Sequence, residues 1–101
     1  MSARLHVTGV PVEVGEIVTL LCQDYRIRSK KHTLPEDYAF AAIITEALSG
    51  CGEGIREVIF DDICERRGYW CSPINYMISK SAYYIRKKEV IRKIAKSLHL
   101  I

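Results

Sequence analysis

IREVIFDDICERRGYWCSPINYMISKSAYYIRK, residues 55–87, holds two apolar periodicities separated by a glycine and a Ser-Pro pair. Ile55, Val58, Ile59 and Ile63 recur at three- and four-residue steps, the spacing of one helical face,. Arg56, Asp61, Asp62 and Arg66 fall on the opposite side as solvated charge, so a helix is expected over about 53–67, stopped at Gly68,. Ser72-Pro73 then reads as a new helix start, a capping hydroxyl followed by a residue with no backbone donor to satisfy,. The two helices with their short glycine-containing turn form a helix-turn-helix pattern over about 53–87.

The second helix of that pattern divides into two faces. Ile74, Met77, Ile78, Ser81, Tyr84 and Ile85 share the expected inner side,. Asn75, Tyr76, Ser79, Lys80, Tyr83, Arg86 and Lys87 share the outer one. In DNA-binding proteins of this pattern the second helix enters the major groove with its N-terminal residues against base edges. Base contacts are therefore expected from Asn75, Tyr76, Ser79 and Lys80, with Asn75 suited to pair bidentately with adenine,. Phosphate contacts are expected from Ser72, Tyr83, Arg86, Lys87, Lys88, Arg92 and Lys93,.

Working outward, Gly9-Val10-Pro11 closes a short alternating stub at residues 3–9 and opens a helix from Val12 to about Ile27,. Glu13 and Glu16 near its start and Arg26 and Arg28 at its end suit the helix dipole,. Thr33 is the expected cap of a second helix, with Pro35, Glu36 and Asp37 in its first turn,. That helix is apolar nearly all round, from Tyr38 to Leu48, which predicts a central place in the core,. A last stretch carries Val90, Ile91, Ile94, Ala95 and Leu98 at helical spacing. No glycine or proline divides it from the preceding helix, so one continuous helix is the alternative to two. The expected fold is one all-α domain over 1–101, a small bundle of about five helices.

Charge is segregated along the chain. The net charge is +3, but from Arg66 onward nine Lys/Arg stand against the single acid Glu89. A segment this basic points to an anionic partner, nucleic acid before membrane. No stretch approaches the roughly 20 apolar residues that span a bilayer, and Met1–Pro11 lacks a signal-peptide layout,. A cytoplasmic setting is expected. The four cysteines lack the close spacing of metal or redox motifs, so free thiols, no metal and no cofactor are expected,. No phosphate loop, nucleophile elbow or His–carboxylate cluster suggests an enzyme.

Residues 55–87 also resemble the helix-turn-helix of the C-terminal effector domain of the sporulation master response regulator family. The likeness rests on Ile55, Val58, Ile59, Phe60, Asp62-Ile63, Ser72, Ile74, Ile78 and Ala82, with LHVTGVP (5–11) resembling a segment upstream. It covers about 40 of the 101 residues, and it implies a DNA-binding transcriptional regulator. The chain departs from the pattern in lacking a receiver domain and in carrying Pro73, Asn75, Tyr76, Ser79 and Lys80 where the family is rich in Arg, Glu and His. The alternative is a small helical protein-interaction module: an inhibitor, antirepressor or adaptor. A homodimer seam formed by the C-terminal helix, ending in Leu98, Leu100 and Ile101, fits either reading.

Overall fold

The computed structural model describes residues 10–30 and 35–101. The stub expected at 3–9 and the cap expected at Thr33 lie outside the described residues. Four α-helices follow in order: α1 (Val12–Ser29), α2 (Pro35–Leu48), α3 (Arg56–Glu65) and α4 (Lys80–Ser97), with one 3-10 turn at Tyr69–Cys71. The chain is all-helical in class, as the periodicities predict. The two C-terminal segments expected as separate helices are one, α4.

Pro11, in extended conformation, opens α1, and its carbonyl accepts the first helical bond from Gly15 N at 3.1 Å,. Gly15, Val18, Thr19 and Cys22 form the buried stripe. At the far end Arg28 Nη1 donates to Asp37 Oδ1 at 2.6 Å, tying the end of α1 to the first turn of α2. Asp37 is buried, so this contact sets where α2 starts. Contrary to its composition, α2 is not central. Ile44, Ala47 and Leu48 pack inward, while Tyr38 is 70% exposed and Ala39, Ala42 and Thr45 are also exposed. Its uniform apolarity hid which face has a partner.

The central element is α4, which packs against α1, α2, α3 and the 3-10 turn. Tyr83, Val90, Ile94 and Ala95 are its buried residues. With Val18, Cys22, Ile59 and Ile63 they make one apolar cluster that the other helices surround. Gly52 and Gly54 carry φ of +89° and +81° between α2 and α3, a backbone region open to glycine at little cost,. α3 stops at Arg66, not Gly68. Arg66 takes the left-handed conformation and Arg67 N closes back on Asp62 O at 2.9 Å, a Schellman-type ending,.

The largest departure from the sequence expectation lies between α3 and α4. Residues 66–79 separate the helices, so the tight four-residue turn of the expected helix-turn-helix is absent. Ser72 does not cap a helix: it is buried, and Ile74 N reaches its Oγ at 3.4 Å. Residues 72–77 make four-residue turns instead, Asn75 N donating to Ser72 O and Met77 N to Ile74 O,. The buried Tyr69 supplies the reason. Its hydroxyl lies 2.6 Å from Asn75 O and 2.8 Å from Ile78 O, carbonyls that a continuous helix would use internally,. The capping hydroxyl is Ser79 Oγ, which accepts from Ala82 N at 3.2 Å,.

Candidate nucleic-acid interface

Starting α4 at Lys80 also rotates the face that was expected to point outward. Tyr83 is fully buried, and Val90 and Ile94 continue its stripe at seven and eleven residues. Met77 and Ile85, expected inside, are 62% and 60% exposed. Asp62, expected in solvent, is fully buried and accepts from the Tyr83 hydroxyl at 2.7 Å and from Arg67 Nε at 2.8 Å. Tyr83 is thus spoken for inside the protein, and its assignment as a phosphate contact is withdrawn.

Lys87 and Ser72 are withdrawn too. Lys87 Nζ donates to the Arg67 carbonyl and lies over the Tyr83 ring at 5.7 Å, half-buried. Desolvation lowers its pKa below the usual lysine range,. Ser72 is inside, as described above. Arg92 stays at the surface, but it forms an ion pair with Glu89, one turn earlier on the same helix.

What α4 leaves at or near the surface is a set of cations, with Lys80 and Lys96 exposed and Arg86, Lys88 and Lys93 partly buried. The helix carries Lys80, Arg86, Lys87, Lys88, Arg92, Lys93 and Lys96 against one acid, Glu89. Among the described residues Lys80, Arg86, Lys88, Lys93 and Lys96 form no ion pair, whereas Arg26, Arg28, Arg66 and Arg67 elsewhere are all neutralised by carboxylates. Arg86 and Lys93 line a cleft between α4 and the end of α2, together with Gly50, Cys51, Ile85 and the carboxylate Glu89. Arg86 Nε is buried there without a hydrogen-bond partner. An oxyanion fits such a pair.

The N-terminal end of α4 meets the 66–79 connection. Trp70 and Tyr76 are 73% and 81% exposed, and Lys80 Nζ sits 5.9 Å from the Trp70 ring centroid. Asn75 Nδ2 donates to the Trp70 carbonyl at 3.0 Å, which holds this loop in shape. Of the four expected base contacts, Tyr76, Ser79 and Lys80 are exposed, and Asn75 is partly buried and engaged. Only Ser79 and Lys80 belong to the helix start. Trp70, Ser81 and Lys96 were not expected at this surface. The signal for Ser81 was the Ser79-Lys80-Ser81-Ala82 cap, which competes with Ser72-Pro73 in the sequence.

The described residues hold no group of three His, Cys, Asp or Glu side chains able to bind a metal ion, and no described helix is long and apolar enough to cross a membrane. The buried Asp62–Tyr83–Arg67 contacts are mutually satisfied and brace α4 against α3. Comparison with protein-family profiles, curated proteins and solved structures gives no match to this chain.

Proposed function

We propose that this chain is a non-enzymatic regulator that binds double-stranded DNA through the surface cations of α4. The observation that carries the reading is the α4 surface, where six of seven cations have no carboxylate partner, Lys87 among them being held by a backbone carbonyl, while Arg26, Arg28, Arg66 and Arg67 elsewhere in the fold are paired. Cations without carboxylate partners, with Lys80 and Lys96 exposed and Arg86, Lys88 and Lys93 partly buried, suit phosphate neutralisation and counterion release,. The resemblance of residues 55–87 to the sporulation effector family supports the same partner. It is carried here with a different recognition element: the helix entering the groove begins at Lys80, so Lys80 and Ser81 replace Asn75 and Tyr76 as the residues nearest base edges. Arg86, Lys88, Lys93 and Lys96 serve the backbone.

The experiment is a fluorescence-anisotropy titration of a random duplex across a salt series. Affinity should fall with a log–log slope of about −0.9 for each phosphate neutralised. Binding without salt dependence, or none at low salt, would remove the reading. A second reading, docking to an acidic protein, is favoured by the exposed Trp70, Tyr76 and Met77, since aromatic residues beside cations are common interface anchors,. Competition by excess duplex separates the two.

A further inference from the structure

We propose that the cleft between the end of α2 and the middle of α4 binds one phosphate group, held by Arg86 and Lys93. The cleft has a volume of about 180 Å³, with Ala47, Cys51 and Val90 as apolar walls and Arg86, Glu89 and Lys93 as its charged groups. Pockets for drug-sized ligands run to roughly 300–1,000 Å³, so this one admits a single small group and not a whole nucleotide. The sign of the group follows from the charges. Arg86 and Lys93 have no carboxylate partner among the described residues. Glu89 does not serve them, because Arg92 Nε donates to its Oε2 at 3.1 Å and Arg92 Nη2 to its Oε1.

Lys93 Nζ lies 3.6 Å from the point a Cβ on Gly50 would occupy, over the backbone that leaves α2. Arg86 has its Nε enclosed without a hydrogen-bond partner, while its two Nη groups are not enclosed in this way. A desolvated, unbonded N–H makes this guanidinium costlier to hold than a surface one, and an anion on the Nη groups offsets that cost. Cys51, buried in the apolar wall, lies within the field of both cations. Burial pushes its thiol up, and Arg86, Lys93 and Arg56 at the start of α3 oppose that push. Two unmatched cations, with a third nearby, thus act on one small space. A tetrahedral phosphate suits them, because a guanidinium takes two oxygens in a fork and an ammonium acts on a third as a point charge. A carboxylate has only two oxygens to share. The inference rests on the DNA reading only for the source of the group, since a backbone phosphate and a free one meet the same chemistry here.

The test of the site uses inorganic phosphate and no nucleic acid. Phosphate is added to the isotope-labelled full chain at constant ionic strength and followed by heteronuclear NMR. The backbone amides of Gly50 and Cys51 and the Arg86 Nε–H should shift along one saturable curve. Arg86→Gln and Lys93→Gln should each weaken that binding at least about tenfold, the usual loss of a hydrogen bond to a charged group. Arg86→Lys should lose less, since it keeps the charge and gives up only the fork. Lys30→Gln removes an equal but screened charge at the end of α1 and should change binding less than about twofold. Shifts no larger than those from chloride at the same ionic strength overturn the proposal. So does binding untouched by Arg86→Gln and Lys93→Gln. Duplex titrations then identify the source. If phosphate at constant ionic strength displaces a duplex from the native chain but not from Arg86→Gln, the cleft takes a backbone phosphate. If phosphate binds and duplex affinity is unchanged, the group belongs to a free phosphate compound. Absence of duplex binding removes the DNA reading and leaves the phosphate site standing.

Discussion

The Tyr83 hydroxyl donates to Asp62 Oδ2 at 2.7 Å in the interior, joining α4 to α3 at a point where neither group meets solvent. This one contact explains why Asp62 points inward, and why Tyr83 leads the buried stripe of α4. It also separates two adjacent acids. Asp61, 47% exposed at its side chain, pairs with Arg26 and Arg67 at the surface, while Asp62 holds the core.

Tyr83→Phe should cost about 1–3 kcal/mol in urea unfolding, because it leaves a buried carboxylate oxygen without its donor. Asp61→Asn should cost no more than about 1 kcal/mol, and less in high salt, as exposed ion pairs do. Equal losses from the two substitutions would mean that Asp62 is not the anchoring acid.

Stability should fall on the alkaline side. Burial pushes the Cys22 thiol up to about 12, from an unfolded value near about 8.5. Burial and the Asp62 contact push Tyr83 above the usual phenol range. Both groups stay protonated in the fold after they have ionised in the unfolded chain. Their contribution is complete below the unfolded values and is lost as pH rises from about 8.5 for the thiol and about 10 for the phenol. Lys87, with its pKa lowered, acts in the opposite sense just below the usual lysine value. The melting temperature measured from pH 8 upward should decline, and Cys22→Ala should flatten the first part of that decline.

Ser79→Ala should cost about 1 kcal/mol, the usual loss of an N-cap hydroxyl, and Ser79→Asp should preserve stability with an equivalent acceptor. Thermal denaturation reads both. If Ser79→Asp is as damaging as Ser79→Ala, the start of α4 is not held by this cap.

The cations of α4 should divide by burial. Lys88→Ala and Lys93→Ala should each reduce the salt slope of duplex binding by about 0.9 and leave unfolding unchanged. Lys87→Ala should act mainly on stability, since its ammonium group is spent on the Arg67 carbonyl. Lys80→Ala should cost about 1–3 kcal/mol on a preferred sequence if it reads a base. Anisotropy and urea unfolding on the same four variants give both axes.

Much of this arrangement was legible before any coordinates. Pro11 and Pro35 mark the starts of α1 and α2, and the inner stripe of α3 retains Ile59 and Ile63 in the core. The cationic excess after Arg66 sits largely on α4. These features are local: a helix start depends on the missing proline donor, and a stripe depends on spacing alone. The face of α2 was not legible, because a helix apolar all round carries no phase. The candidate site was legible in its Lys/Arg and in Tyr76, expected there as a base contact, but not in Trp70, which was expected only as part of the turn between two helices.

By itself, the sequence determined the all-helical class, the starts of the first two helices and the basic character of the C-terminal segment, since each rests on residues within a turn or two of one another. Only the tertiary structure decided where α4 begins, which side of it is buried and which cations remain available. Ser72-Pro73 and Ser79 offer rival starts of similar local strength. Tyr69 settles the choice by holding the Asn75 and Ile78 carbonyls, and Asp62 by drawing Tyr83 inward, both through contacts between separate elements that can override propensity,.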